Sequence, residues 1–219
     1  MPCSRASAAG DRGVVPAPTW SQIREALSAR PPVQVQKAKR AAAVALILRE
    51  GGSGIEMLFI RRAEHPDDPW SGQVGFPGGR SEPRDPDLRA TAVRETAEET
   101  GIDLGALAEY LGALDEVRAM ARLRPMDLTI SPFVYRLVGT PRYQPNHEVG
   151  GLLWLPLSDL FDPRRRSVFD YAERDTTLRF PCLRVEDHVI WGLTYRMLTG
   201  FEERLFASGP RAGRPGEAM

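Results

Sequence analysis

The spacing of hydrophobic residues predicts an alternation of helices and strands. Trp20, Ile23 and Leu27 recur at helical spacing, whereas the uninterrupted apolar run over residues 41–48 is typical of a buried strand. The same patterns predict helices over residues 20–29, 88–100, 157–161 and 193–205, and strands over residues 41–48, 55–61, 110–117, 128–138, 151–154, 178–185 and 189–191. Strands and helices mixed in this order favour an α/β fold, with a sheet covered on both faces.

The predicted helix over residues 88–100 carries three acidic residues on one face. Glu95, Glu98 and Glu99 stand at i, i+3 and i+4, which brings their carboxylates within about one turn of each other. Like charges this close repel, so a fold would not select them for stability. A divalent cation removes the repulsion, and Mg²⁺ prefers such oxygen ligands. The alternative is a solvated face with ordinary i+4 ion pairs.

The other side of this helix is predicted to pack on the sheet. Leu88, Ala92 and Ala97 supply its apolar residues, and Gly101 ends the helix as a C-terminal cap residue does. The glycine-rich stretch before the helix can bring backbone atoms close to a metal or a phosphate.

Residues 75–102, GFPGGRSEPRDPDLRATAVRETAEETGI, resemble the box of the Nudix hydrolases. That box runs Gly, five residues, Glu, seven residues, Arg-Glu-aliphatic, one residue, Glu-Glu, one residue, Gly-aliphatic. Gly79 matches its first glycine, and Arg94 to Ile102 match its end. Asp85 stands where the early Glu is expected, with eight residues before Arg94 instead of seven, and Thr96 replaces the aliphatic residue.

The resemblance implies a Nudix-type α/β/α sandwich with a mixed central sheet, and a pyrophosphohydrolase that uses Mg²⁺ or Mn²⁺. It implies that Glu95, Glu98 and Glu99 bind the metal together with the Gly79 carbonyl. Arg94 is then expected to orient the carboxylates, since a guanidinium makes a fixed two-pronged contact. An ordinary i+4 pair with Glu98 is its structural alternative.

The reaction also needs a proton acceptor, and the sequence offers more than one. Glu98 or another glutamate of the box can serve. Glu148 is a second candidate, because related enzymes place an acid from a late loop over the metals. His147 beside it is a third, since its pKa suits neutral pH. We therefore take Glu98, Arg94 and Glu148 as the candidate catalytic residues.

A longer resemblance points to the branch of Nudix hydrolases that splits coenzyme A or its thioesters into 3′,5′-ADP and the phosphopantetheine part. It covers roughly residues 38–205 and includes the segments 58–63, 71–79, 146–149, 154–157 and 188–194. Asp67 or Asp68 stands where that branch has a basic residue, although the 3′-phosphate of coenzyme A needs a cation. Alternative substrates are ADP-ribose, a dinucleotide or a nucleotide sugar. A nucleotide-sensing module without catalysis is the alternative of another class.

Several arginines can supply that cation: Arg61, Arg62, Arg80, Arg84 and the run Arg164-Arg165-Arg166, for which a solvated loop is the alternative. Trp70, Phe76 and Trp191 can stack on a base, although core packing is the expected use of Phe76 and Trp191.

The amino-acid composition limits the classes of binding partner that we expect. Lys and Arg together number 29 and so do Asp and Glu, so the basic excess of a nucleic-acid-binding protein is absent. No apolar run reaches the ~18 residues of a membrane span. Cys3 and Cys182 make no disulfide framework, which predicts a cytoplasmic protein. The expected partner is a small-molecule nucleotide, and a homodimer is a common assembly among relatives.

The domain boundaries follow from the composition of the two ends. Residues 1–19 lack the apolar centre of a secretory signal, and we predict a disordered tail there, with a transit peptide as the alternative. Residues 208–219 are predicted to form a second tail. Residues 20–207 are predicted to be a single domain.

Overall fold

The structure, a computed structural model, describes residues 17–36, 38–64, 72–121, 124–173 and 176–207. The helices are α1 (Trp20–Ser28), α2 (Leu88–Thr100), α3 (Leu104–Leu107), α4 (Leu157–Leu160) and α5 (Gly192–Phe206). The strands are β1 (Arg40–Gly51), β2 (Gly54–Arg62), β3 (Val74–Gly75), β4 (Gly78–Arg80), β5 (Ala108–Ala113), β6 (Val117–Ala121), β7 (Arg124–Leu137), β8 (Val149–Pro156), β9 (Arg166–Glu173), β10 (Thr176–Val185) and β11 (His188–Trp191).

Eight strands form the central sheet, in which β3, β2, β1, β7 and β5 are neighbours in that order. Strand β4 pairs with β1, β6 with β7, and β8 with β2. The pairing of β1 with β7 is parallel and the others are antiparallel, so the predicted mixed sheet is confirmed. Strands β9, β10 and β11 form a separate antiparallel sheet.

Strand β1 shows why the sheet is buried on both sides. Its residues alternate between two hydrophobic clusters, as the two-residue period of a strand requires. Leu46 and Leu48 face the cluster that includes α1, α4 and α5, whereas Ala45 and Ile47 face the cluster that includes Ala92 of α2. The continuous apolar run is therefore a strand between two layers, and the predicted α/β/α arrangement is confirmed.

Both ends of α2 are capped by local chemistry. The Asp87 side chain accepts a hydrogen bond from the Ala90 amide at the N-terminus, and Gly101 takes a left-handed conformation with φ of 77° at the C-terminus. The predicted bounds of this helix, residues 88–100, are confirmed. At α1, Thr19 is the N-cap and forms a capping box with Gln22, so the last residue of the predicted tail belongs to this cap.

The packing face of α2 differs from the prediction. Ala92 is fully buried, but Ala97 is exposed, so the predicted packing of Ala97 on the sheet is wrong. Thr96 and Thr100 are fully buried instead. Their hydroxyls donate to the carbonyls of residues 92 and 96, at 2.7 and 2.6 Å, and this backbone pairing makes them acceptable in the core.

The predicted single strand over residues 110–117 is also wrong, because the chain there forms the end of β5 and the start of β6. Between them the Glu116 amide donates to the Val33 carbonyl, and Asp115 accepts hydrogen bonds from the Arg30 side chain and the Val33 amide. These contacts with the segment after α1 divert the backbone from the ladder. The other predicted helices and strands are confirmed, within a few residues at their ends.

Four kinds of element were not predicted: the short strands β3 and β4, the four-residue helix α3, the 3₁₀ helix over Pro163–Arg165, and strand β9. Each is short or has no clear periodicity. None of the described helices combines the length and apolarity that crossing a membrane would require.

Candidate active site

The three glutamates of α2 occupy different environments. Glu99 is buried with 5% of its surface exposed, whereas 18% of the Glu95 side chain and 48% of the Glu98 side chain are exposed. The acidic face thus runs from the core, at Glu99, to the solvent, at Glu98. A ligand approaching from solvent meets Glu98 first.

Glu99 is fixed by the backbone of β4. Its carboxylate accepts a hydrogen bond of 2.8 Å from the Gly78 amide. Burial, together with the nearby charges of Glu95 and Glu148, nevertheless raises the pKa of Glu99 to about 7, although the Gly78 hydrogen bond and the charge of Arg62 oppose the shift. Burial also raises the pKa of Glu95. Both carboxylates therefore bear an electrostatic cost that a cation would relieve.

Two consecutive glycines allow β4 to lie this close to its neighbours. Gly78 has φ of +149°, and a Cβ there would come within 2.6 Å of the Val44 Cα. A Cβ on Gly79 would come within 2.5 Å of the Glu95 carboxyl carbon. The structure therefore brings Gly79 against Glu95, one of the four predicted metal ligands. Whether the Gly79 carbonyl binds a metal stays a prediction.

Arg94 makes its two-pronged contact with Asp85. Its Nε and one terminal nitrogen donate to the two Asp85 oxygens at 2.9 and 3.0 Å. These hydrogen bonds hold the pKa of the Asp85 carboxyl well below its usual range. Asp85 also accepts from the Glu82 amide and the Thr91 hydroxyl, both at 2.9 Å. Asp85 thus links the loop before α2 to the helix.

The remaining nitrogen of Arg94 contacts two carboxylates of the acidic face. It lies 3.0 Å from a carboxylate oxygen of Glu95 and 3.0 Å from one of Glu98. The exposed Arg84 contacts the other oxygen of Glu98 at 3.1 Å. Arg94 therefore both orients the carboxylates and forms an i+4 pair with Glu98. The contact of Arg84 was not predicted, because no periodicity relates a loop residue to Glu98.

The acidic face of α2 offers a divalent cation three carboxylates. Glu95, Glu98 and Glu99 offer the oxygen ligands that Mg²⁺ and Mn²⁺ prefer. Among the described residues, however, no group of three or more His, Cys, Asp or Glu is arranged as a metal cluster. The Arg94 guanidinium holds two of the three carboxylates. The residue types fit a metal, and metal binding stays a prediction.

Glu148 lies on a loop that is attached to the C-terminal end of α2. The Asn146 amide donates to the Glu99 carbonyl at 3.2 Å, and the Glu148 amide donates to the Asn146 side chain at 2.9 Å. The Glu148 carbonyl accepts from the Ala63 amide, next to β2. Glu148 and His147 are both exposed. The charge of Glu148 acts on Glu99, so the fold brings this predicted residue toward the glutamates of α2.

The arginine run is largely committed to internal ion pairs. Arg164 pairs with Asp162 at 2.7 Å and Arg165 with Asp159 at 3.0 Å, while Arg166 contacts Glu202 and the Tyr195 hydroxyl. A 3₁₀ helix over Pro163–Arg165 and the start of β9 hold these residues. The exposed Arg84 is paired as well, with Glu82 at 2.8 Å and with Glu98 at 3.1 Å. Arg61, Arg62 and Arg80 stay the predicted cations for a substrate.

The aromatic candidates serve packing where the structure describes them. Phe76 is buried and its ring stacks on Phe59 with centroids 4.9 Å apart. Trp191 lies against Phe169 and Phe180 of the three-stranded sheet, at 4.7 and 5.4 Å. The predicted core packing of Phe76 is confirmed. Trp70, Asp67 and Asp68 lie outside the described residues.

Comparison with known proteins identifies the family. A NUDIX domain matches residues 38–173, which is more than half of the chain. The chain belongs to the Nudix family. The matched Nudix domain contains the whole of β4 and α2 and extends past Glu148. Every candidate catalytic and metal-binding residue named above therefore lies inside it.

Curated Nudix relatives agree with this assignment. An uncharacterized Nudix hydrolase, NudL, from Yersinia pestis (strain Pestoides F) is 32% identical over 143 residues, which cover 63% of this chain and 66% of the relative. NudL of Yersinia pseudotuberculosis (serotype O:1b) matches with the same values. The chain thus spans slightly less than two thirds of the length of these relatives.

Solved Nudix structures resemble parts of the chain. An Ap4A hydrolase binary complex from C. elegans has a TM-score of 0.43 with 24% identity, and covers 55% of this chain and 82% of its own. The NUDIX domain of Shewanella oneidensis NrtR, crystallised with ADP ribose, has a TM-score of 0.41 with 23% identity, and covers 57% and 77%. A MutT/nudix family protein from Enterococcus faecalis reaches 0.49 with 14% identity, and covers 85% and 69%.

Proposed function

We propose that this Nudix protein hydrolyses the pyrophosphate bond of a nucleoside diphosphate derivative with Mg²⁺ or Mn²⁺. One observation carries the proposal. Glu95 and Glu99 lie beside the Gly78-Gly79 strand, and burial raises the pKa of both. A cation would stabilise the ionised form of these carboxylates, and a divalent metal could bind them and a diphosphate at the same time.

In this proposal the carboxylates of α2 hold the metal and Arg94 keeps them in place. The bound cation would neutralise the diphosphate and lower the pKa of a water molecule. Glu99 is anchored by Gly78 and cannot swing away, whereas Glu98 is exposed and reaches solvent. Its exposure supports Glu98 as the proposed acceptor of the proton of the attacking water, with Glu148 as the second candidate. Two of the three Arg94 nitrogens are engaged by Asp85, and the third contacts both Glu95 and Glu98.

The preferred substrate in this proposal is coenzyme A or an acyl-CoA, which gives 3′,5′-ADP and phosphopantetheine or its acylated form. The support is the resemblance of the sequence over roughly residues 38–205. The 3′-phosphate needs a cation, and Arg61, Arg62 and Arg80 are the candidates. Arg84 and the run over residues 164–166 are already engaged in ion pairs.

A substrate panel tests the proposal directly. Coenzyme A, acetyl-CoA, ADP-ribose, diadenosine tetraphosphate and a nucleotide sugar are incubated with the full chain in Mg²⁺ and in Mn²⁺, and products are identified by mass. We expect 3′,5′-ADP from coenzyme A. Cleavage of ADP-ribose with coenzyme A untouched would refute the coenzyme A preference but keep the reaction. No cleavage of any compound would refute the reaction.

The variant Glu98→Gln tests the role of the exposed glutamate. It keeps the size of the side chain and its bond with Arg94 but removes the charge, so turnover should fall about 1000-fold. Glu25→Gln, an exposed change on α1, is the matched control and should retain full turnover. Circular dichroism checks that both variants are folded. Turnover of Glu98→Gln within about threefold of the parent would place the proton acceptor elsewhere.

A further inference from the structure

Strand β9 forms a regular edge of the three-stranded sheet. The strands of that sheet are ordered β11, β10, β9, and within the described residues no strand other than β10 pairs with β9. All eight residues of β9 pair with β10 without a bulge, and its sequence, RSVFDYAE, contains neither proline nor lysine. Bulges, prolines and lysines are common means by which proteins protect an edge strand. A long edge without them can accept a further strand.

Edges elsewhere in the molecule carry such protection. In the pairing of β5 with β7, an irregularity lies between Tyr110 and Gly112. The edge strand β8 begins with Val149 followed by two glycines, and it ends at Pro156. Strand β11, at the opposite edge of the small sheet, has only four residues. Compared with these edges, β9 is both long and regular.

The backbone of β9 offers hydrogen-bonding groups to this edge. Pro181 stands opposite Val168 in the register with β10 and has no N–H to donate. Hydrogen-bonded and non-hydrogen-bonded pairs alternate along an antiparallel ladder. The pairs of Phe169 and Tyr171 therefore carry the hydrogen bonds to β10, and the N–H and C=O groups of Val168 and Asp170 point outward. A strand that docks here would satisfy them.

Both faces of β9 carry apolar side chains that reach solvent. On one face Val168 is 43% exposed, and the neighbouring Pro181 is exposed as well. On the other face the half-buried Phe169 and Tyr171 lie against Trp191, with ring centroids at 4.7 and 5.3 Å. These rings pack the strand onto its own sheet, and the edge beside them stays apolar. Covering such an edge removes apolar surface from water.

The charges of β9 select one alignment of two copies of the strand. A twofold axis through Asp170 would place two carboxylates opposite each other, and one through Phe169 would place Asp170 opposite Val168. An axis through Val168 instead places Asp170 opposite Arg166 of the second copy, so opposite charges face each other twice. Because Arg166 is already engaged by side chains of α5, these pairs contribute little affinity and mainly fix the alignment.

We propose that β9 is a dimer interface. The β9 strands of two copies of this chain pair antiparallel about a twofold axis through Val168 and join their three-stranded sheets into one sheet of six strands. Val168 and Pro181 of both copies then form a continuous apolar row on one face. On the other face the two Phe169 residues become diagonal neighbours, about 7–8 Å apart and within reach of their rings. This interface does not depend on hydrolysis, because no residue proposed for that reaction lies in β9.

Sedimentation equilibrium of the full chain tests the interface. We expect a monomer–dimer equilibrium with Kd of about 10 µM, since pairing along one strand edge makes a small interface. The variant Val168→Lys places two ammonium groups against each other on the axis, so it should weaken the dimer about 100-fold. Val138→Lys is the matched control, because Val138 is 65% exposed and lies outside β9, and it should leave the Kd unchanged. Circular dichroism checks that both variants are folded.

A cysteine on the axis tests the alignment. The two Val168 Cα atoms should lie about 5.5 Å apart, which is within the range of a disulfide. Oxidation should therefore link Val168→Cys into covalent dimers, whereas Val138→Cys should show only the background that the parent shows through Cys3 and Cys182.

Three outcomes would overturn the proposal. The first is a parent chain that stays monomeric at about 200 µM, well above the expected Kd. The second is a dimer whose Kd is unchanged in Val168→Lys, or whose Val168→Cys variant does not link, since the copies would then meet elsewhere or in another alignment. The third is a series of ever larger oligomers, because a twofold pairing of β9 closes at two chains.

Discussion

The two sides of α2 are built on opposite principles. On one side, Glu95, Glu98 and Arg94 hold one another, and Asp85 fixes Arg94 in turn. On the other side, Tyr135 is buried in the hydrophobic cluster that includes Ala92, and its hydroxyl has no hydrogen-bond partner among the described residues. The first side is a charged network whose parts depend on each other. The second side is apolar packing against the sheet. A mutation on the first side should therefore disturb several side chains, whereas the effect of a mutation on the second side should stay local.

The largest expected effect comes from the glycine pair that brings β4 to the acidic side. The Gly78→Ala change adds a Cβ 2.6 Å from the backbone at Val44, at a φ that favours glycine, so it should lower the free energy of unfolding by about 3 kcal/mol. The Gly79→Ala change meets the end of a side chain, Glu95, which can move. Compared with Gly78→Ala, it should lower the free energy of unfolding less and reduce turnover more.

Denaturant unfolding and turnover, measured on both variants, check this contrast. If Gly79→Ala were the more damaging to folding, the Glu95 carboxylate would have to be rigid, and the comparison between backbone and side-chain contacts would fail.

The next effect concerns Arg94 as the centre of the charged side. A lysine cannot make the two-pronged contact with Asp85 and still reach Glu95 and Glu98, so Arg94→Lys should lower turnover about 100-fold. Arg84→Lys is the control. Arg84 is 63% exposed, and the loss there should stay within about threefold. Steady-state kinetics on the preferred substrate compare the two, and equal losses would contradict a central role for Arg94.

A smaller effect is expected from the pH dependence of stability. The folded pKa of Glu99, about 7, lies above its usual value of 4.5, so the folded state holds the proton more tightly. Stability should therefore fall as pH rises from about 4.5 to 7, by about 2 kcal/mol between pH 5 and 8. The Glu99→Gln variant should not show this loss of stability with rising pH. It should therefore be more stable than the parent at pH 8 but not at pH 5.

Thermal unfolding in EDTA at pH 5 and pH 8 measures that difference. A parent protein whose stability is flat across this range would show that Glu99 is not strained by burial. Added Mg²⁺ should restore stability at pH 8 and have little effect at pH 5, because protonated Glu99 binds metal poorly.

The smallest effect is expected on the apolar side. Because the Tyr135 hydroxyl makes no hydrogen bond, Tyr135→Phe should change the free energy of unfolding by less than about 1 kcal/mol, or raise it slightly. The mutation of a paired hydroxyl gives the contrast. Thr96→Val removes the bond of 2.7 Å to the carbonyl of residue 92 and should destabilise by about 1 kcal/mol. A large loss in Tyr135→Phe would mean that the hydroxyl is paired.

Sequence reasoning predicted what depends on local periodicity. The alternation of helices and strands, the bounds of α2 and the spacing of Glu95, Glu98 and Glu99 all follow from regular repeats of the backbone. It went wrong at Ala97 and at residues 110–117, where distant segments decide which residues are buried and where the strand is interrupted. A repeat cannot reveal which neighbours the fold will bring.

By itself, then, the sequence determined the helix, its acidic residues and the family resemblance, because these are written in short spacings along one chain. Only the tertiary structure decided that Glu99 is buried while Glu98 is exposed, that Asp85 accepts two hydrogen bonds from Arg94, and that the Tyr135 hydroxyl is buried without a partner among the described residues. These properties depend on burial and on contacts between elements far apart in the chain, which no local pattern contains.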